Sequence, residues 1–242
     1  NSGGSAFYRL TKGGAGTLTL LTSALSVTND LAVNAGTLAL AGLNASVGGA
    51  LAINAPVTQG AGKLTVTGTT TVAIGAGVDL SLTTSTNDFQ GDVSITSGRN
   101  IALADTNSLQ FGASTVSGTL GLTTSGAISQ SGALTVAGVA TLAAGAANNI
   151  TLTTAANNFS TVVISSGNVV QVTDTNAIAL GAATTAGAYI VSSGGIVSGA
   201  AVLSAGGTLS VSAAGGITLS GANTTAVVSL ANTTGGNISY NS

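Results

Sequence analysis

The side chains that could support catalysis are few and scattered. The chain has 242 residues, six Asp, no Glu and no His. Asp88 and Asp92 are the closest carboxylates in sequence, and Arg99 is the basic residue near them. Enzymes that cleave acidic polysaccharides combine carboxylates with basic groups to bind a metal, hold a uronate and move a proton. Because the commonest general base is absent, a polysaccharide lyase or hydrolase is the least favoured function. An Asp that stabilises a turn beside a solvated Arg is the preferred interpretation, so we expect no enzyme and no catalytic residue.

A pair of short motifs places Asp and Asn at turns. Asp105 and Asn107 recur as Asp174 and Asn176, with Thr between them in each copy. Such side chains form hydrogen bonds with the nearby backbone and fix tight turns. The carboxylates are not spaced as the ligands of a calcium-binding β-roll. We therefore predict structural turn residues here, and neither a metal site nor a cofactor.

A second pair of motifs combines Asn with Phe. Asn87 and Phe89 return as Asn157 and Phe159. The pattern favours a turn followed by a buried ring. An exposed ring that stacks on a sugar is the alternative, since aromatic faces pack against apolar surfaces of ligands.

These motifs belong to a long repeat with a period of about 70 residues. Residues 79–89 resemble 149–159, and 64–68 resemble 134–138. We predict one continuous solenoid over 1–242, with approximate tandem repeats at 57–126 and 128–197. Residues 1–45 form the N-terminal coils and 198–242 the terminal coils of this division.

Within the repeat, apolar residues alternate with small ones in triplets about eight residues apart. Alternation with a period of two predicts short strands with one apolar face, and the intervening Gly, Ser, Thr and Asn suit tight turns. No amphipathic helical stripe is present. The predicted inward-facing residues, which form ladders inside the solenoid, are Leu80, Leu82, Val93, Ile95, Ile150, Leu152, Val162 and Ile164.

The repeat decides between two all-β architectures. A sandwich or a barrel seldom repeats over tens of residues, whereas each turn of a solenoid stacks on a similar turn. The chain has four Phe, three Tyr and no Trp, which suits a narrow interior. We predict a single-domain parallel β-helix with about 20–24 residues per coil, about three coils per long repeat and about ten or eleven coils in all.

Composition limits the partners of the chain. Four basic residues and a net charge of −2 supply no track for phosphates, so we expect no nucleic-acid binding. The chain has no Cys for disulfides or metal thiolates. It also has no Met, even at position 1, which indicates a processed or excised piece. No run of 18 apolar residues predicts a membrane span. With so little charge to keep copies apart, end-to-end or lateral packing is expected.

Two stretches carry a resemblance to a known family. Residues 10–20 read LTKGGAGTLTL and residues 33–40 read VNAGTLAL. They resemble the passenger-associated β-strand repeat of bacterial autotransporters, and the remainder, including GAISQSGALTV at 126–136, resembles filamentous-haemagglutinin-like exoproteins. The resemblance implies a right-handed parallel β-helix, secretion across the outer membrane and display outside the cell, and it does not imply an enzyme. A translocator barrel and a secretion-signal domain, which full family members have, are missing from this sequence.

The favoured function is therefore structural. We expect an extracellular bacterial fibre, sheath or adhesin stalk, and the partner would be the chain itself. Neither end carries an obvious cap, which favours end-to-end pairing of strands. The alternative is a surface-binding module for cell-surface glycans or a host receptor. Ice binding fits less well, because the repeat partners of Thr67 and Thr69 are Ala137 and Val139, which breaks a regular threonine rank.

Overall fold

Short strands separated by tight turns wind around one axis and stack in parallel. The computed structural model describes residues 6–242, which form an all-β solenoid without a helix, as the sequence predicts. The solenoid has about 12 turns, slightly more than the predicted ten or eleven. Asn1–Ser5, part of the predicted N-terminal coils, lie outside the described residues. At about 4.8 Å between neighbouring strands, the rod is about 55 Å long.

The strands, in chain order, are as follows: β1 (Leu10–Lys12), β2 (Thr17–Thr19), β3 (Leu25–Val27), β4 (Leu31–Val33), β5 (Thr37–Ala39), β6 (Ala45–Val47), β7 (Leu51–Ile53), β8 (Val57–Thr58), β9 (Leu64–Val66), β10 (Thr70–Ala73), β11 (Leu80–Leu82), β12 (Asp88–Phe89), β13 (Val93–Ser97), β14 (Ile101–Asp105), β15 (Leu109–Phe111), β16 (Ser114–Val116), β17 (Leu120–Thr124), β18 (Ile128–Gln130), β19 (Leu134–Ala143), β20 (Ile150–Leu152), β21 (Asn158–Gly167), β22 (Val170–Asp174), β23 (Ile178–Thr185), β24 (Tyr189–Ser193), β25 (Val197–Gly199), β26 (Leu203–Ala213), β27 (Ile217–Leu219), β28 (Thr224–Asn232) and β29 (Ile238–Tyr240).

Each turn of the solenoid has three sides. Side 1 begins with β2, β5 and β8, side 2 with β3, β6 and β9, and side 3 with β1, β4 and β7. Farther along, strands such as β19 and β26 run around a corner and supply two sides. Residues paired on successive turns are 18 apart at the shortest, for Thr161 and Ala179, and 24 at the longest, for Ala73 and Ser97.

The interior is one continuous apolar core. Alternation along each strand turns every second side chain inward, where it packs on its counterpart one turn away. The predicted inward-facing residues are at most 3% exposed, and they are Leu80, Leu82, Val93, Ile95, Ile150, Leu152, Val162 and Ile164. Apolar ladders and backbone hydrogen bonds therefore run along the same axis and stabilise the rod together.

The long repeat is out of phase with the turns. On side 1, Leu80 pairs with Ile101, which pairs with Leu120, which pairs with Ala140. Its repeat partner Ile150 lies ten residues beyond Ala140, and its own ladder is that of side 2. A repeat thus covers ten sides, or three and one-third turns, and the expectation of about three coils per repeat falls short by one side. Each repeat presents the same sequence one third of a turn farther around the axis.

Because of this phase difference, a residue of the long repeat returns to the same side only after three repeats. The outward-facing residues on one stretch of side 1 are Ser81, Ala102, Gly121 and Thr141, in successive turns. No regular threonine rank forms on this stretch. Within residues 6–242, no helix has the length and apolarity that a membrane crossing requires.

Candidate functional site: buried corner networks and the two ends

The most elaborate polar cluster is a buried corner around Asn87. Its amide exchanges hydrogen bonds with Gln59: Asn87 Nδ2 donates to Gln59 Oε1 over 3.1 Å, and Gln59 Nε2 donates to Asn87 Oδ1. Asn87 Oδ1 also accepts from the backbone N–H of Leu64 at 2.9 Å, and Asn87 Nδ2 donates to the carbonyl of Leu82 at 3.1 Å. Asn87 is fully buried and Gln59 is 4% exposed, so these bonds satisfy polar atoms that water cannot reach.

The same network recurs around Asn157. Asn157 Nδ2 donates to Gln130 Oε1 at 2.9 Å, and Gln130 Nε2 donates to Asn157 Oδ1 at 2.8 Å. The N–H of Leu134 donates to Asn157 Oδ1 at 2.9 Å, and Asn157 Nδ2 donates to the carbonyl of Leu152 at 3.2 Å. This second corner lies ten sides later, so it faces a different direction.

A third corner around Asn223 keeps part of the arrangement. Asn223 Oδ1 accepts from the N–H of Leu203 at 3.0 Å, as its two counterparts accept from Leu64 and Leu134. The glutamine position is taken by Gly199, and the amide of Asn223 donates instead to the carbonyl of Asn241 at 2.8 Å. The element common to all three corners is therefore the buried asparagine.

In each of the first two corners, a buried aspartate accepts hydrogen bonds from two backbone N–H groups. Asp105 Oδ2 accepts from the N–H of Phe89 at 2.7 Å, and Asp105 Oδ1 accepts from the N–H of Asn107 at 2.7 Å. Asp174 does the same with Phe159 at 2.6 Å and Asn176 at 2.9 Å. Burial raises the pKa of Asp105, and the two N–H donors offset this only in part.

Asn107 and Asn176 contribute to these corners mainly through their backbone N–H groups, which donate to Asp105 and Asp174. The side chain of Asn107 donates to Asp88 Oδ1 at 3.1 Å on the outside of the rod. Burial alone would raise the pKa of Asp88, but hydrogen bonds from Gln90 and Asn107 and the charge of Lys63 bring it below its usual value. The predicted turn residues thus form two connected clusters, each of which holds adjacent turns together.

All four basic side chains bind within the protein. Arg9 pairs with Asp30 at 3.1 Å, Lys63 with Asp88 at 3.4 Å, and Arg99 with Asp79 at 2.7 Å, and each pair joins neighbouring turns. The fourth, Lys12, is only 9% exposed, and its Nζ donates to the carbonyl of Ala35 at 2.7 Å and to that of Gly14. The surface therefore carries little unpaired positive charge.

The carboxylates that the sequence groups with Arg99 have other partners. Arg99 Nε and Nη2 donate to the two oxygens of Asp79 at 2.7 Å each. Asp88 binds Lys63, and Asp92 accepts from the hydroxyl of Ser131 at 2.5 Å. The structure thus separates the predicted cluster into three local contacts. The described residues contain no group of three His, Cys, Asp or Glu that could hold a metal ion.

The two aromatic rings of the repeated motif lie inside the rod. Phe89 is 1% exposed and Phe159 is fully buried. Neither ring can therefore stack on a sugar at the surface. They fill the interior next to the corner networks instead.

Exposed apolar side chains concentrate at the two ends. In the described part of the chain ten large apolar residues are exposed, and three of them, Val139, Ile196 and Val202, lie along the rod. The other seven, in the first two turns and the last turn, are Phe7, Tyr8, Leu18, Leu21, Val227, Val228 and Ile238. At the first turn they border a hollow of about 400 Å³ lined by Phe7, Leu10 and residues 18–25. Exposed apolar side chains are therefore more frequent in the first and last described turns than along the rod.

Reasoning from the sequence missed several of these residues. Gln59 and Gln130 stand 28 and 27 residues before their asparagine partners, so only the stacking of turns reveals the pairs. Lys12 was singled out only as part of a motif, although it fills an inward-facing position that Val33 and Ile53 occupy in the next two turns. Its charge gives no signal of burial in the sequence.

These features define a β-solenoid repeat protein whose polar groups are used to connect its turns. A family model described as "Repeats of unknown function (DUF5649)" matches residues 28–96, 98–166 and 166–231. The chain belongs to this family, and the three matches reproduce the period of about 70 residues. No curated protein and no solved structure matches the chain.

Proposed function

We propose that this chain is a non-enzymatic structural protein, a stiff rod that forms or contributes to an extracellular bacterial fibre, sheath or adhesin stalk. The observation that carries the proposal is the unbroken apolar interior from Leu25 to Leu219. Bending or stretching such a rod would break backbone ladders and apolar contacts in many turns at once. Resistance to bending and stretching is the property that a mechanical role requires.

The side surface supports the same role. Its basic groups are bound to partners within the rod, and its carboxylates point to different turns rather than to one cleft. A rod with little free charge can lie close to other rods or to a polysaccharide matrix without strong repulsion. Each repeat is shifted by one third of a turn around the axis relative to the repeat before it. Similar surfaces therefore face several directions, which suits contacts on several sides.

The two ends support assembly from copy to copy. Each end exposes the edge of parallel strands together with apolar side chains, and such edges pair with further strands. We infer that copies add end to end through strand pairing and so lengthen the fibre.

Export and display outside the cell rest on the resemblance of residues 10–20 and 33–40 to autotransporter repeats. An adhesin stalk is the form of the proposal that uses this resemblance most directly, with glycans or a host receptor as partners of a longer assembly. The buried position of Phe89 and Phe159 leaves these rings out of any glycan contact.

Two measurements test the proposal. Electron microscopy of the purified chain should show rigid rods about 55 Å long or fibres built from them. Immunogold labelling of intact source cells, with permeabilised cells as the control, should place the protein outside the cell envelope. Flexible, protease-sensitive particles, or label found only after permeabilisation, would contradict the structural role or its extracellular location respectively.

A further inference from the structure

The backbone ladder of the rod is interrupted between two neighbouring turns. The earlier turn consists of β11, β12 and β13, and the later turn consists of β14, β15 and β16. On side 1, β11 pairs with β14 through three residues, 80–82 with 101–103. On side 2, β12 is the last strand of its sheet in the described chain and does not pair with β15. On side 3, the pairing between the two turns is limited to Val93 with Phe111.

The next interface along the rod has a ladder on all three sides. There β14 pairs with β17 through five residues, β15 with β18 through three, and β16 with β19 through three. Evenly spaced backbone hydrogen bonds of this kind hold two turns together along a whole side. The interface between the turn of β11–β13 and the turn of β14–β16 is therefore weaker than the next one, and we call it the joint.

Side chains replace the ladder on sides 2 and 3 of the joint. On side 2, Asp105 Oδ2 accepts from the N–H of Phe89 at 2.7 Å. On side 3, Ser114 Oγ accepts from the N–H of Ile95 at 3.0 Å and donates to the carbonyl of Gly112 at 3.0 Å. Phe89 and Ile95 are buried, so these two strand N–H groups depend on side chains of the later turn for their hydrogen bonds.

The backbone bonds that do cross these two sides are isolated. The N–H of Thr106 donates to the carbonyl of Asn87 at 2.7 Å, and the N–H of Gly112 donates to that of Val93 at 3.0 Å. The apolar interior itself continues through the joint, with Phe111 fully buried. Opening sides 2 and 3 would therefore break few backbone hydrogen bonds, while side 1 would keep its ladder.

The second repeat has a corresponding interface that is better closed. Asp174 Oδ2 accepts from the N–H of Phe159 at 2.6 Å, as Asp105 does from Phe89. Here β20 pairs with β22 through three residues, and β21 pairs with β23 through four residues with two shifts of register. The same kind of buried aspartate is thus supported by backbone pairing in the second repeat and lacks this support at the joint.

We propose that the joint is a hinge, at which the rod opens on sides 2 and 3 while the ladder of side 1 holds the two turns together. Residues 6–97 and 101–242 then move as two bodies. Such a local opening requires less free energy than global unfolding. The proposal goes beyond the structural function, because the hinge belongs to the single rod whether or not rods assemble outside a cell. It lets a rod under lateral load bend at one place while the other turns stay folded.

Hydrogen exchange of single amides, measured by NMR on the purified chain, tests the hinge. The amides of Phe89 and Ile95, the joint amides, bond across the joint, whereas those of Leu109 and Ser114 bond to carbonyls across the next interface. We expect protection factors at least about tenfold lower for the joint amides than for Leu109 and Ser114. Equal protection factors would overturn the proposal.

The amide of Leu80 tests which side acts as the hinge. It donates to the carbonyl of Asn100 at 2.9 Å, across the joint on side 1. Because side 1 keeps its ladder, this amide should be protected as well as those of the next interface. If it exchanges as readily as the joint amides, the two turns separate completely and a hinge on side 1 is refuted.

An engineered disulfide across the joint separates opening from weak bonding of single amides. A Cβ on Gly112 would lie 3.4 Å from the Cβ of Ser94 in the earlier turn. This is close to the usual spacing in disulfides, about 3.5–4.5 Å. In the oxidised Ser94→Cys/Gly112→Cys variant, the protection factors of the joint amides should rise about tenfold over those of the wild type. Unchanged values would mean that the joint amides exchange without opening, which refutes the hinge.

A matched disulfide across the next interface is the control. A Cβ on Gly121 would lie 3.9 Å from the Cβ of Ala102 on side 1. The oxidised Ala102→Cys/Gly121→Cys variant should leave the joint amides as they are in the wild type. An equal rise in both disulfide variants would show a general effect of cross-linking and overturn the assignment to the joint.

A pair of aspartate substitutions gives an independent readout that needs no disulfide. Asp105→Ala should lower the protection factor of Ile95, which bonds to Ser114 and not to Asp105, because both bonds close the same joint. Asp174→Ala, in the better closed interface, should leave Ile95 unchanged. If Asp105→Ala affects Phe89 alone, the bonds are independent and the hinge is refuted. Circular dichroism melts check that each variant folds.

Discussion

Asn157 repeats the contacts of Asn87 from a position 70 residues later in the chain and one third of a turn farther around the axis. Both side chains accept a hydrogen bond from the N–H that begins a strand one turn earlier, and both pair with a glutamine. The repeated sequence therefore specifies a type of corner that recurs at different positions around the axis, rather than one continuous face of the rod. Its asparagine connects turns wherever the repeat places it.

Replacing the corner asparagine should destabilise the rod strongly. Asn87→Ala leaves the N–H of Leu64 and the Oε1 of Gln59 buried without a partner, whereas Gln59 Nε2 keeps the carbonyl of Gly62, and each loss costs about 1–3 kcal/mol. We expect the free energy of unfolding to fall by about 2–6 kcal/mol in urea titrations. The control Asn158→Ala, at an exposed position, should change it by less than about 0.5 kcal/mol. Equal effects of the two substitutions would contradict a connecting role for Asn87.

The strands and the solenoid could be predicted because both depend on local patterns. Alternation in triplets such as Leu80–Leu82 sets which side chains point inward, and repetition then requires stacking. The phase of the repeat could not be read from the sequence, since a small error in residues per turn accumulates over three turns. The pairing of Gln59 with Asn87 depends on that phase, so it too required the three-dimensional structure.

An aspartate in the interior should be much more harmful than one on the surface. Leu152 is 1% exposed, and Leu152→Asp would place an unpaired charge among apolar ladders. We expect a loss of several kcal/mol in the free energy of unfolding, about 3 kcal/mol or more. Thr151→Asp, on the exposed face of the same strand, is the matched control and should unfold nearly as the parent chain does. A normal melting curve for Leu152→Asp would refute the assignment of the inner face.

Close stacking of corners should make one glycine intolerant of a side chain. A Cβ on Gly138 would lie 2.6 Å from the carbonyl oxygen of Gly118 in the preceding turn, so Gly138→Ala must push the two turns apart. Overpacking of this kind costs about 1–3 kcal/mol, measurable as a lower urea midpoint. Gly77 has no atom within 4 Å of the corresponding position, and Gly77→Ala should leave stability unchanged or slightly higher. A stable Gly138→Ala variant would mean that the corners are looser than described.

The ion pair between Arg99 and Asp79 should make stability depend on acid. Hydrogen bonds and charge from Arg99 lower the pKa of Asp79 from 3.8 to about 2. Because the folded-state pKa is the lower one, the stabilisation is complete above the unfolded pKa and disappears as the pH falls through this window. The advantage of the wild type over Asp79→Asn should be complete at pH 6, mostly lost at pH 2 and absent at lower pH, as urea midpoints would show.

Arg99→Gln provides the control for this pH effect, because it removes the basic partner of Asp79. In an Arg99→Gln background, Asp79→Asn should produce a smaller acid-dependent difference. A difference between wild type and Asp79→Asn that is as large at pH 2 as at pH 6 would mean that it arises from something other than the charge of Asp79.

Removing one buried hydroxyl should stabilise the rod. Tyr189 is 1% exposed, its hydroxyl has no hydrogen-bond partner, and burial raises the pKa of this group. The corresponding residues of the other repeats are Leu51 and Leu120, so the interior accepts an apolar side chain at this place. Because an unsatisfied buried donor costs about 1–3 kcal/mol, Tyr189→Phe should raise the free energy of unfolding by about 1 kcal/mol. Tyr240→Phe, which loses a 3.2 Å contact with Thr225, should lower it or leave it unchanged. A Tyr189→Phe variant less stable than the parent would show that this hydroxyl does have a partner, for example a buried water molecule.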